Sequence, residues 1–479
     1  MDAEKLRSNL VKGSVARLLP VVADSKKEER ATSILLAAFT VIPDFARAVL
    51  SEAGAPMGKR SKIQCFTEVS FKGDNPKSRP DGLIIVTTGK KMWSALVESK
   101  VGRNELSSDQ VEDYLGIAKA QGVDATITIS NQFASLPTHH PVRVNKQKLR
   151  STGLFHFSWL SILSKALLLI DGKAIEDVEQ AYILKELARY LRHESSGVIG
   201  GLRMSPGWKN VCADVHQGVS LKKGGDDVSQ AVASWHQLQR YLSIQLSVAL
   251  GKSVRTSMPK KHANDPGLRL QDDVVALTSK HSLSAGVEVP NAAGKLEITG
   301  DLLRKTLDLS IKLDAPGDTK RQTASINWLA RQLKGCNTEN LVVRVNWPRR
   351  IASTSMPAEK LLEEDGNSLL PPNVKDLPTS FELIRVVDMG AKFKSVNAFV
   401  EISEAELIKF YSDVCQNLTK WVAKPPRVRK PQESTATSEA HSEEEKLVAS
   451  LLGGVEDKPQ ETATAISEPG YAPNSFLNW

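Results

Sequence analysis

The chain has 479 residues, 41% of them apolar and 25% charged. That balance excludes a fully disordered, collagen-like or coiled-coil chain, and the length predicts two to four domains able to bury real cores. The formal charge of +8 is unevenly spread: from Gln432 to Trp479 nine acidic residues stand against two lysines, a net −7, which leaves +15 on residues 1–431. A basic body with an acidic tail points to a polyanionic partner such as nucleic acid.

The first segment, MDAEKLRSNLVKGS, is charged and has no apolar signal region, which predicts a cytoplasmic protein. Glu28–Leu50 carries Ile34, Leu35, Ala38, Phe39, Ile42, Phe45, Ala46 and Leu50 near helical spacing, so a helix is expected, kinked at Pro43. Gly54, Pro56 and Gly58 mark a loop. Strands are expected at Lys62–Phe71, Asp81–Thr88 and Trp93–Lys100, the last two joined through the turn-like Thr88-Gly89-Lys90. Strict alternation would put Phe66, Glu68 and Ser70 on one face of the first strand, with Cys65, Thr67, Val69 and Phe71 on the other. Ser107 or Ser108 can cap a helix ending at Gly122, and Ala125–Ser130 reads as a β-branched strand. His139-His140-Pro141 has diverging side chains and no partners at zinc spacing, so a solvated loop is expected. Leu160–Ile170, the most apolar stretch, contains Lys165 and is too short to span a bilayer.

Further on, Ile175, Val178, Tyr182, Leu187 and Leu191 predict one amphipathic helix, and Val228 to Leu250 a longer one. Leu283–Val289, Lys295–Leu313, Leu341–Trp347 and Phe381–Phe393 read as strands; Ile326, Trp328, Leu329 and Leu333 lie on a helix, and Ala405–Trp421 reads as another. Most tryptophans are expected in cores. Cys65, Cys212, Cys336 and Cys415 are widely spaced, which predicts free thiols rather than a disulfide framework or a zinc knuckle. After residue 430 the composition turns to Glu, Ser, Thr, Ala and Pro, too polar to bury a core. The expected organisation is thus an α/β domain over 1–170, a mostly helical connection over 171–260, an α+β domain over 261–430 and a disordered acidic tail over 431–479.

One constellation carries chemistry. Arg79-Pro80-Asp81-Gly82 opens the second strand, and Val97-Glu98-Ser99-Lys100 closes the third. Glu98 and Lys100, two apart on a strand, share a face. This PD…ExK pattern, in the order helix, three strands, helix, strand, resembles the PD-(D/E)xK nuclease superfamily over about residues 25–135. Gln110-Val-Glu-Asp-Tyr114 resembles the QxxxY element of exonuclease-like members. The resemblance implies a restriction-endonuclease-like core and hydrolysis of phosphodiesters, most readily in DNA, in bacterial defence, restriction or repair. It implies Mg²⁺ or Mn²⁺ bound by Asp81, Glu98 and the Ser99 carbonyl, oxygen ligands suited to a hard cation. Lys100 then assists at the scissile phosphate, and Gln110 contacts the phosphate or the nucleophile. A further acid from the first helix is implied, with Glu29 the first candidate and Glu28 the second; Glu68 is a third candidate. Lys77, Arg79, Lys90, Lys91 and Arg103 surround the motif in sequence and are expected to grip the nucleic-acid backbone. A homodimer is an open possibility for cutting two strands, and no membrane partner is expected. The tail, with Leu447–Leu452 and a terminal Phe476–Trp479, is a candidate ligand for a protein partner or a mimic of DNA on the basic body. Two other readings remain open: a non-catalytic nucleic-acid-binding module, and an interaction scaffold.

Overall fold

A proline sets the first corner of the fold. In the computed structural model, which describes residues 3–73, 78–198, 201–363 and 366–422, a short helix α1 (Ala3–Ser8) and a strand β1 (Leu10–Val15) lead to α2 (Lys27–Val41) and α3 (Pro43–Leu50). The single kinked helix expected over Glu28–Leu50 is therefore two helices, bent by 112°. Pro43 has no N–H and sits in the first turn of α3, while Ile42 before it leaves helical geometry, as the residue preceding a proline tends to do.

The first sheet follows: β2 (Lys62–Phe71), β3 (Gly82–Thr88), β4 (Lys91–Ser99), then helix α4 (Ser108–Gln121), β5 (Ala125–Ser130) and β6 (Gly153–Ser158). Its six strands lie in chain order. β1 to β4 pair antiparallel, whereas β4–β5 and β5–β6 are parallel. α4 is the crossover that parallel pairing requires, and Gly122 ends it in a left-handed conformation. Along β3, Ile84 and Val86 enter the core with Leu35, Phe39 and Phe45 of α2 and α3. Leu83 and Ile85 enter a second cluster with Leu6 of α1 and Tyr114, Ile117 and Ala118 of α4. The sheet is thus covered on both faces.

The alternation expected for β2 fails at one residue. Ile63 and Cys65 pack on the α2 side, yet Val69 and Phe71 join Phe66 on the α4 side. Glu68 lies between them with φ of 55°. Its N–H donates to the Asp81 carbonyl at 2.9 Å, and the Val69 N–H to the Pro80 carbonyl at 3.1 Å. This is a β-bulge: one extra residue moves every later side chain to the other face.

Helices α5 (Trp159–Asp171) and α6 (Val178–Arg192) continue the first helical layer. α6 buries Leu184, Leu187, Ala188 and Leu191. Val178 and Tyr182, assigned to its apolar face by spacing, are exposed. Then come α7 (Pro206–His216), α8 (Asp226–Leu250), β7 (Arg255–Ser257), α9 (Lys260–Asn264), α10 (Pro266–Lys280), β8 (Ser282–Glu288), β9 (Leu296–Asp301) and β10 (Thr306–Asp314). The remainder is α11 (Gln322–Leu333), β11 (Leu341–Asn346), β12 (Thr354–Pro357), α12 (Ala358–Glu363), β13 (Ser380–Asp388) and α13 (Ala398–Asp413).

β7 to β13 form a seven-stranded antiparallel sheet in the order β12-β11-β13-β10-β9-β8-β7. The strand expected to reach Phe393 stops at Asp388, where Gly390 turns the chain with φ of 48° into a short 3-10 segment. The last helix lies earlier than Ala405–Trp421, leaving Trp421 outside it and half-buried. Trp208 and Trp235 stack at 6.0 Å beside Phe393 and Phe399, so these two tryptophans are core residues. One apolar cluster runs from Ala16 to Leu418 and includes residues of both sheets. The protein is a mixed α/β structure with two sheets. All four cysteines are free thiols. No single helix among the described residues is long and apolar enough to cross a membrane. Lys77, the basic stretch Lys424–Lys430 and the whole acidic tail lie outside the described residues.

Candidate active site

The residues of interest gather where β4 ends. The pairing of β3 with β4 sets Gly82 opposite Val97, so Asp81 arrives beside Glu98, Ser99 and Lys100. Asp81 Oδ2 accepts the Ser99 N–H at 2.8 Å and the Ser99 hydroxyl at 3.3 Å. Ser99 is buried, and its hydroxyl lies 2.5 Å from that of Thr32 on α2. Glu98 points the other way, towards α4. Its side chain is only 1% exposed, and Oε1 accepts from Lys100 Nζ at 2.6 Å and from Gln110 Nε2 at 2.7 Å. Gln110 also donates to the Tyr114 hydroxyl at 3.1 Å, which in turn donates to the Arg79 carbonyl at 3.2 Å. The two residues four apart on α4 thus tie β4 to the segment that carries Asp81.

The second oxygen of Glu98 is different. Oε2 is buried and has no hydrogen-bond partner among the described residues. An orphaned carboxylate oxygen in a protein interior is costly and calls for a proton or a cation. Burial, and secondarily the charge of Glu98, push the Asp81 carboxyl well above the usual carboxylate range; the Ser99 N–H opposes this. Burial raises Glu98 as well, against the pull of Lys100. Burial works against the charge on Lys100, but Glu98, Asp81 and Glu28 together hold its ammonium above its ordinary value. A strongly shifted group of titrating residues at a strand end is the electrostatic mark of many functional sites.

Glu29 is not the helix acid that joins this group. Its carboxylate pairs with Lys26 at 2.6 Å. Glu28 turns inward instead, 3.5 Å from Lys100 Nζ and held by Asn104 Nδ2 at 2.6 Å. A helix rotates by about 100° per residue, so neighbouring acids cannot share a direction; the rotation of α2, fixed by its buried Leu35, Leu36 and Phe39, selects Glu28. Glu68, displaced by the bulge, forms an ion pair with Arg79. Asn104 and Thr32 were not singled out in the sequence. Thr32, four residues from Glu28, could have been paired with it by helical spacing; Asn104 sits in a loop and carries no such signal.

The basic residues divide. Arg79 and Arg103 lie in the segments just before Asp81 and just after Lys100. Lys90 and Lys91 stand at the opposite end of the hairpin, where Thr88 pairs with Lys91. Six residue steps at about 3.3 Å place them about 20 Å from the cluster, too far to hold the same phosphate. His139 and His140 are not a solvated loop. His139 is buried with Nε2 3.0 Å from the Ala263 carbonyl, and His140 Nε2 lies 2.7 Å from the Thr128 hydroxyl.

α2 and α4 both begin at this cluster, since Glu28 and Gln110 come from their first turns. Helix N-termini favour negative charge nearby. Among the described residues no group of three His, Cys, Asp or Glu side chains is placed to hold a metal ion. The acid pair Asp81 and Glu98, with its orphaned oxygen, nevertheless offers donors that suit a hard divalent cation completed by backbone carbonyl, water or phosphate oxygens. No protein family, curated protein or solved structure matches the chain.

Proposed function

We propose that the chain is a metal-dependent nuclease of the PD-(D/E)xK type, with a restriction-endonuclease-like core, and that its substrate is DNA. The observation that carries this reading is the Glu98 carboxyl: one oxygen is held by Lys100 and Gln110, and the other is buried without a partner beside the second carboxyl, Asp81. A divalent cation relieves both the orphaned oxygen and the like-charge repulsion. The run of α2 and α3, β2, β3, β4, α4 and β5 supports the same reading, as does the net charge of the body.

Asp81 and Glu98 hold the ion, with the Ser99 carbonyl as the adjacent backbone donor. When bound, Mg²⁺ or Mn²⁺ supplies charge neutralisation at the phosphate and acidification of a water. Gln110 and Tyr114 orient Glu98. The Lys100 ammonium, kept charged by its carboxylate neighbours, stabilises the negative charge that develops on the phosphate. Glu28 and Asn104 hold Lys100 from the α2 side. Arg79 and Arg103 position the strand by its phosphates.

The test is cutting of plasmid and single-stranded DNA with Mg²⁺ or Mn²⁺, beside Asp81→Ala and Lys100→Ala. Wild-type cutting that both variants retain rejects the site. Salt-sensitive binding without cutting makes the domain a nucleic-acid-binding module instead, and neither cutting nor binding leaves the scaffold reading.

A further inference from the structure

Large apolar side chains exposed to solvent concentrate in one short stretch. Val11 and Val15 of β1 are 61% and 58% exposed, and Leu19 and Val21 just beyond are 89% and 102% exposed. β1 is also an edge strand, paired among the described residues with β2 alone. Exposed apolar groups on an unpaired edge are avoided unless something covers them.

The stretch is tied at both ends to the helix that reaches the candidate site. The Arg17 N–H donates to Ser33 Oγ at 2.9 Å, and Ser33 Oγ donates to the Arg17 carbonyl at 3.0 Å. At the other end the Arg30 guanidinium donates to the Val22 and Ala23 carbonyls and to Asp24. Both clamps belong to α2, the helix that brings Glu28 to Lys100. Leu19-Pro20-Val21 projects between them. Across the sheet, Ser14 of β1 is in register with Thr67, and Thr67 with Gly82. Two strand spacings, about 10 Å, therefore separate β1 from the residue after Asp81.

Charge selects the occupant. From Lys5 to Val22 the chain carries Lys5, Arg7, Lys12 and Arg17 and no carboxylate. A second copy paired along the same edge would set these cations against their equivalents, which is unfavourable. A polyanion with apolar surfaces of its own fits: the phosphates meet the cations, and the bases meet the valines and leucine. Base faces are available only where the strand is unpaired or unstacked, and aliphatic side chains are known to fill such places.

We infer that the Val11–Val21 strip binds unpaired nucleobases of a strand led into the Asp81–Glu98–Lys100 site; the inference rests on the nuclease reading above. The test uses the full chain in EDTA, so that binding is read without cutting. A fluorescein-labelled single-stranded oligodeoxynucleotide and its duplex are titrated by anisotropy, and 2-aminopurine in the single strand reports base contact. Leu19→Ser/Val21→Ser should bind the single strand about tenfold more weakly, lose the 2-aminopurine response and bind the duplex nearly as before. Its salt dependence should not change, because phosphate contacts are untouched. Lys12→Ala/Arg17→Ala should instead flatten the salt dependence. Thermal melting of each variant checks that the fold is intact, as expected for exposed positions. Unchanged single-strand affinity in the serine variant overturns the inference, as does a wild-type dimer that the serine variant dissociates. Failure to cut DNA in the presence of metal overturns the nuclease reading and leaves this binding result to be judged on its own.

Discussion

Two clusters bury ionised groups in this protein, and they do so in opposite ways. Where the two sheets meet, Arg269 of α10 is almost fully buried. Its guanidinium donates to Ser135 Oγ and to Gln239 Oε1, each at 2.7 Å, while Asp273 lies 3.7 Å away and accepts from His236 at 2.6 Å. Gln239 passes its own donors to the Ser257 and Gly286 carbonyls. Apart from the Arg269–Asp273 pair within α10, these contacts tie one chain segment to another. At the end of β4 two carboxyls are instead brought together, one oxygen is left orphaned, and both acids are pushed towards their protonated forms. A satisfied buried charge specifies how elements meet. An unsatisfied one stores a need that a ligand can meet, at some cost to the stability of the free protein.

That contrast can be broken at several points. The largest expected effect is on cutting. Asp81→Ala and Lys100→Ala should each lower the rate about a thousandfold, as removal of central electrostatic groups does; Asp81→Ala should leave the melting temperature unchanged or raised, whereas Lys100→Ala should lower it, because the buried Glu98 loses its cation. Arg269→Ala should do the reverse. It should destabilise the protein by about 3 kcal/mol in urea unfolding, because Ser135, Gln239 and Asp273 lose a buried partner, while the folded fraction cuts normally.

The acid pair also predicts a pH dependence. Its raised pKa values mean that the folded protein binds more protons than the unfolded chain above the ordinary carboxylate range of about 4. Stability of the metal-free protein should therefore fall as pH rises through that window. Asp81→Asn should flatten the fall, recovering about 1 kcal/mol or more, and Mg²⁺ should do so in the wild type by binding the folded state. A metal-free melting temperature that climbs across the same window would contradict the account of acids raised by burial and, for Asp81, secondarily by the charge of Glu98. A finer comparison lies on α2. Glu28→Gln should reduce cutting about tenfold, since it sits against the catalytic lysine, whereas Glu29→Gln, paired with Lys26 at the surface, should stay within about twofold. Smallest of all, Lys90→Ala/Lys91→Ala should leave DNA affinity nearly unchanged, while Arg103→Ala weakens it several-fold and reduces its salt dependence.

Much of the first sheet was legible in the sequence because its signals are local. Lys62–Phe71 and Ala125–Ser130 are strands with the expected bounds. Gly122 ends α4 as the sequence indicates, and Glu98 and Lys100 carry their pairing in their two-residue spacing. β1 and β6 were not legible: each is six residues long, and β1 has five exposed positions with no alternation to read. β13 was legible, but its end was not: the strand expected to reach Phe393 stops at Asp388, before the turn at Gly390.

What the residues determined by themselves was chemistry and local geometry: which acids and which lysine could share a site, and that the body of the chain is basic. The three-dimensional packing decided direction. The rotation of α2 chose Glu28 over its neighbour, the bulge at Glu68 turned that acid towards Arg79, and the antiparallel hairpin carried Lys90 and Lys91 to the far end of the sheet. Each outcome depends on contacts between segments distant in sequence. No periodicity within a segment can encode them, because a helix or strand has the same internal pattern whichever way its neighbours turn it.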